Sequence, residues 1–287
     1  MGKPGVSADD VVGRTARTGE ISKRLIVAVL MLPLVASLVM ADARASAALF
    51  SAAAAVGCWE YYRLTLRSVS RAAQVGIGYA AMVPLGPAFV PSRAAGAVLF
   101  SLLATASISA WIINLFAGAH SGAPERIGHM MAGLLFSSAG LAALSALRSG
   151  SDGVAWTAIV LVAVWSNDTA AFFAGRAIGR HKLWPAVSPG KTWEGCIAGL
   201  TASVLVLLLI RPMLPRYLGA LACIGLGTLA GVLGPLGDLS KSMLKRAYGV
   251  KDTGRLFPGH GGMLDRIDGV LFVAPAMWAA RVTLFPH

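Results

Sequence analysis

Apolar residues recur in long runs, at about 25–41, 45–62, 74–90, 95–117, 128–147, 154–174, 194–212, 217–236 and 267–285, with short polar stretches between them. Roughly 17 to 25 apolar residues suffice to cross a bilayer as a helix, so the pattern predicts eight or nine transmembrane helices. In lipid every backbone N–H and C=O must find a partner within the chain, and the two-residue alternation of a membrane barrel is absent. The expected fold class is therefore all-α and polytopic. Residues 1–22 carry Gly, Ser, Thr and scattered charge without apolar periodicity and are expected to form a flexible cytosolic tail. Residues 23–287 read as a single membrane-embedded domain without internal repeat.

Composition supports this reading. Of 287 residues, 56% are hydrophobic and 13% charged, and the mean hydropathy is +0.69, whereas soluble domains carry roughly 25% charged residues. A water-soluble globule is excluded on that ground. The net charge of +12 invites a nucleic-acid reading, but no basic run with interleaved aromatics occurs and the cations lie between the spans. With the N-terminus inside, Lys and Arg concentrate in inner segments 1–24, 63–73, 118–127, 175–192 and 237–266. Arg44, Arg93, Arg148, Arg211, Arg216 and Arg281 fall in or beside outer loops. The positive-inside bias thus places the N-terminus and the two longest inner loops in the cytosol. Ala41-Asp42-Ala43 mimics a signal-peptidase site, but the long segment before the first run and the spans after it favour a retained helix. Cys58, Cys196 and Cys223 lack metal-ligand spacing and read as packed thiols. Glu60, in or beside an aromatic belt, stands at i,i+3 from Arg63 and reads as an interfacial ion pair.

Candidate chemistry concentrates between residues 237 and 268. Asp238 ends an apolar span containing Gly231, Gly234, Pro235 and Gly237, and a carboxylate at that depth is expensive enough to imply a function. If the helix runs on, Ser242, Lys245 and Arg246 at i+4, i+7 and i+8 share its face, a column suited to a metal-bound phosphate. Asp265 and Asp268 are spaced i,i+3 at the start of the last span, so both carboxylates point into one site while Arg266 points elsewhere. Magnesium takes one or two carboxylates together with substrate phosphates and water, a demand that Asp238, Asp265 and Asp268 suit. Between them, Pro258-Gly259-His260-Gly261-Gly262 reads as a turn whose N–H groups approach an anion closely. A zinc site is excluded because His260 has no His or Cys partner at ligand spacing. A basic loop binding anionic headgroups would account for Lys245, Arg246, Lys251 and Arg255, but not for three acids placed where spans begin and end.

A second inner loop adds to the first. Asp168 lies inside the sixth span, as a partner for Arg176 or Arg180 or as a functional acid. Downstream, Ser188-Pro189-Gly190-Lys191-Thr192 offers a hydroxyl, a cation and backbone donors at the start of a helix, which suit a di- or triphosphate. It is not a Walker A loop, because Pro185 stands where that motif needs glycine. The active site is thus expected mainly in 165–195 and 237–268.

Ser242-x-Leu244-Lys245-Arg246, then Lys251-Asp252-x-Gly254, then Phe257-Pro258-x-His260-Gly261-Gly262-x-x-Asp265-Arg266-x-Asp268 resembles the pattern of phosphatidate cytidylyltransferases, the CDP-diacylglycerol synthases, with no departure from residue 242 to 268. Ser188-Pro189-Gly190-Lys191-Thr192-x-Glu194-Gly195 is similar to that family too. In the N-terminal half the likeness is confined to hydropathy and to Trp59-Glu60. The resemblance implies a bacterial plasma-membrane enzyme, usually a homodimer, that converts CTP and phosphatidate to CDP-diacylglycerol and pyrophosphate with Mg2+, and with K+ as a candidate second cation. It implies in-line attack of the lipid phosphate on the α-phosphorus of CTP. Asp238 and Asp265 would then hold Mg2+, with Asp268 a further ligand, while Lys245, Arg246 and Arg266 neutralise phosphate oxygens. Ser188, Lys191 and Thr192 are expected at the CTP phosphates, Ser242 at a cation or substrate, and Lys251 near substrate, with Asp252 and His260 orienting it or shuttling a proton. The alternatives are another CTP-dependent membrane lipid enzyme, such as a polyprenol kinase, and a transporter.

Overall fold

The computed structural model describes residues 42–66, 69–90, 92–117, 121–254, 256 and 261–285. The expected tail and the first apolar run lie outside them, as does His260. The other eight runs each correspond to a helix: α1 Ala43–Thr65, α2 Arg71–Phe89, α3 Ser92–Phe116, α4 Ala123–Ser149, α5 Gly153–Ala177, α6 Trp193–Ile210, α7 Ala220–Ala247 and α8 Leu264–Leu284. Six of the eight, α3 to α8, are long and apolar enough to cross a membrane, and the chain is an all-α polytopic membrane protein. One feature departs from the expected pattern. Between α5 and α6 the chain forms a short antiparallel hairpin, β1 Lys182–Trp184 and β2 Ser188–Thr192, so Ser188 to Thr192 form a strand that leads into a helix.

Helix starts follow local chemistry. The Ser70 and Thr192 hydroxyls accept the N–H groups of Ala73 and Gly195, capping α2 and α6. The hairpin is tied to the head of α6, where Glu194 accepts His181 Nδ1–H at 2.6 Å and Trp193 N–H donates to His181 O at 2.9 Å. Within α7, Pro235 has no N–H for the carbonyl of Gly231. Asn167 of α5 supplies the missing donor, its Nδ2 lying 3.3 Å from Gly231 O.

Helix α8 packs between α7 and α4, and α4 in turn holds α1 and α2. The core includes fully buried Tyr62, Leu134, Trp156, Leu264 and Met277, and Tyr62 Oη donates to Met130 O at 2.7 Å, locking α1 to α4. The C-terminal ends of α1, α5 and α7, the hairpin and the start of α8 all lie toward one end of the bundle, because successive helices reverse direction. The charged residues of interest collect there.

Candidate active site

Asp238 of α7 and Asp265 and Asp268 of α8, the acids expected to share a site, do meet. Their approach depends on Gly237, where a Cβ would fall 2.3 Å from the carbonyl oxygen of Asp268, so only glycine lets the two backbones come this close. Asp265 and Asp268 are both buried.

At the centre of the three acids is a residue that the sequence reading passed over. Lys241 Nζ lies 2.9 Å from Asp238 Oδ1, 2.5 Å from Asp268 Oδ2 and 3.5 Å from Asp265 Oδ1, with the lysine itself only 6% exposed. Two further lysines flank the group. Lys245 Nζ lies 2.8 Å from Asp265 Oδ1 and Lys191 Nζ 2.8 Å from Asp238 Oδ2, and Lys191 also donates to Pro235 O at 3.1 Å. The column on α7 therefore runs through Asp238, Lys241 and Lys245, at i, i+3 and i+7. Ser242, the expected member, is half-buried one position away and lines neither cavity described below. The spacing of Lys241 from Asp238 was the available signal.

The second oxygen of Asp265 is held by the preceding loop. Oδ2 accepts Thr253 N–H at 2.9 Å, the Thr253 hydroxyl at 2.9 Å and Gly262 N–H at 3.1 Å. The glycine turn expected to cradle a ligand's phosphate thus gives its Gly262 N–H to the protein's own carboxylate. Gly261 has φ +78°, and a Cβ there would stand 2.7 Å from Asp265 Oδ2.

Glu60 is not the interfacial partner of Arg63. It is 1% exposed, and its oxygens accept Met263 N–H at 2.8 Å, Leu264 N–H at 3.0 Å and the Thr253 hydroxyl at 3.1 Å. The orphan N–H groups at the head of α8 need acceptors, and the carboxylate of α1 supplies them. Arg63 instead stacks over the Trp59 ring, 4.8 Å from its centroid.

A cavity of about 720 Å3 opens beside the acids, with Asp168, Arg176, Lys182, Ser188, Lys191 and Thr192 on one wall and Asp238, Lys241, Asp265, Arg266 and Asp268 on the other. Arg266, expected to point elsewhere, faces the same cavity as the two acids that flank it. Asp168 is accessible from the cavity. Thr192 lines it too, and its hydroxyl caps α6. Arg246 lies outside, its Nε donating to Val187 O of the hairpin turn at 3.4 Å. Lys251 and Asp252 line a second cavity with Trp59, Arg63 and Thr253, beyond the Glu60–Thr253–Asp265 contacts. Among the described residues, no three His, Cys, Asp or Glu side chains surround a point free for a metal ion; the Lys241 ammonium takes the point between the aspartates.

A family model described as the cytidylyltransferase family matches residues 22–284. The chain is also similar to the phosphatidate cytidylyltransferase of Staphylococcus epidermidis, 41% identical over 127 residues, which are 44% of this chain and 49% of the relative. The proteins of the same name from Staphylococcus haemolyticus and Staphylococcus aureus are each 42% identical over the same extent. The chain spans about half the length of the curated relatives it matches.

Proposed function

Because the chain belongs to the cytidylyltransferase family, we propose that it transfers the cytidylyl group of CTP to phosphatidate, forming CDP-diacylglycerol and releasing pyrophosphate. The observation that carries this reading is the convergence of three carboxylates, paired with three lysines, beside a cavity at one end of a membrane bundle. Such a place lets a water-borne nucleotide meet a lipid headgroup. A phosphate oxygen of phosphatidate attacks the α-phosphorus of CTP while the bond to the bridging α,β-oxygen breaks, and the electron pair leaves with pyrophosphate. No protein nucleophile is needed, so positioning and charge neutralisation carry the rate.

The donor set fits Mg2+. Hard carboxylate oxygens of Asp238 and Asp268, with Oδ1 of Asp265, already bind cationic groups here, and Mg2+ requires one or two protein carboxylates besides phosphate and water. Bound by one or two of these acids beside the Lys241 ammonium, it would supply positive charge to the phosphate oxygens. Lys191, Lys182, Arg176 and Arg266 line the cavity and attract the triphosphate, with Ser188 as a hydroxyl donor to it. Lys245 holds Asp265 in register. We assign Lys251 and Asp252, in the second cavity, to the lipid headgroup side. The family resemblance supports a homodimer in the bacterial plasma membrane with these loops cytosolic.

CTP labelled separately at the α- and γ-phosphates tests the reaction in purified protein with phosphatidate and Mg2+. The α-label enters lipid and the γ-label leaves in pyrophosphate. Entry of the γ-label into lipid would identify a kinase instead.

A further inference from the structure

The cluster at the head of α8 has its charges matched without any metal. Asp238, Asp265 and Asp268 face Lys191, Lys241 and Lys245, three against three. The lysines are not equivalent. Lys191 and Lys245 each reach one acid from the rim, whereas Lys241 is buried and reaches all three, with one N–H available for each. An ammonium group carries the charge of a monovalent metal ion, is close to potassium in size, and accepts the same carboxylate oxygens as ligands. We propose that the Lys241 ammonium is the built-in monovalent cation of this site, filling the place of a second metal ion, so that the protein binds one divalent ion and binds it together with a phosphate-bearing ligand. This rests on the nucleotidyl-transfer reading of the cavity.

The geometry supports both halves of the statement. A monovalent ion cannot share the point between the three acids with Lys241 Nζ, because 2.5 to 3.5 Å from each acid is already the distance of direct contact. A divalent ion added alone would bring two positive charges to a group whose formal charges already cancel, beside Arg176, Lys182 and Arg266, which outnumber the cavity's one further acid, Asp168. When the ion arrives with a polyphosphate, the ligand's negative charge offsets that excess, and the cavity-lining cations then favour the complex instead of opposing it. Lys241 is held on α7, three residues after Asp238, so the helix that presents the first acid also presents its cation.

The full chain is purified in detergent, and KCl is exchanged for N-methylglucamine chloride at constant ionic strength. Formation of CDP-lipid and the melting temperature are both followed in wild type and in Lys241→Met. We expect wild type to be indifferent to K+ in both measurements. Lys241→Met should lose about tenfold or more in turnover, melt at lower temperature, and recover part of both losses with K+ or ammonium ions but not with N-methylglucamine. Mg2+ should shift the wild-type melting temperature only when CTP is also present. A wild type whose turnover or melting temperature depends on K+ overturns the proposal, and that arm needs no variant to fold. So does a Lys241→Met protein that responds to no monovalent ion, or a wild type that Mg2+ stabilises equally without CTP. If wild type forms no CDP-lipid, the functional reading fails, and the melting measurements still decide the role of Lys241.

Discussion

The two oxygens of Asp265 face different partners. Oδ2 accepts three donors from Thr253 and Gly262, while Oδ1 lies against Lys245 and Lys241. An amide in its place has one oxygen and one NH2 group, and either orientation sets N–H against N–H. Asp265→Asn is therefore expected to lower turnover by about a hundredfold or more while the protein still inserts and elutes as a single species in detergent. Normal turnover would remove Asp265 from the chemistry. The Thr253 hydroxyl stands between two carboxylates, 3.1 Å from Glu60 and 2.9 Å from Asp265, with one proton to donate. Thr253→Ser keeps that proton and should stay near wild type, whereas Thr253→Val leaves buried acceptors short of a donor, a loss of about 1 to 3 kcal/mol. Equal thermal stability of the two variants would show that the hydroxyl is immaterial.

Helices set these side chains where they stand, and sequence shows the helices better than the contacts between them. All the apolar runs that fall among the described residues form helices, since span length and backbone pairing in lipid are properties of each segment alone. The acids at 238, 265 and 268 were legible for a similar reason, because charges at span ends are conspicuous. Lys241 was hidden in a stretch of sequence already rich in cations, and its role depends on how α7 faces α8. Glu60 was misread because Arg63 offered a local partner, while its true donors lie about 200 residues away, at the head of α8. That contact yields a prediction on the element it caps. Glu60→Gln turns an oxygen that accepts N–H groups into an NH2 facing them, and should destabilise the protein by about 2 kcal/mol with faster amide exchange at Met263 and Leu264. Unchanged exchange there would mean that α8 is held by its packing alone. Gly237→Ala should push α8 from α7 at Asp268 and cost about 1 to 3 kcal/mol, whereas Gly225→Ala, with open space around its Cβ, should be neutral.

At the scale of the whole molecule, one end of the bundle carries the chemistry and the other closes it with short connections. Helix α6 joins the two: the hairpin precedes it, and the segment around Arg216 follows it. The hairpin tip at Ala186 and Arg216 are both exposed and must lie on opposite faces of the membrane if α6 crosses it. The segments that carry most of the Lys and Arg are expected on the cytosolic face, because short basic loops stay inside. The proposed use of CTP demands the same orientation as the charge bias. In a background with Cys58, Cys196 and Cys223 replaced, Ala186→Cys should react with an impermeant maleimide in inverted vesicles and Arg216→Cys only in right-side-out ones. Labelling of both from one side would deny that α6 spans, and labelling with the sides exchanged would put the site where the cell keeps no nucleotide triphosphate.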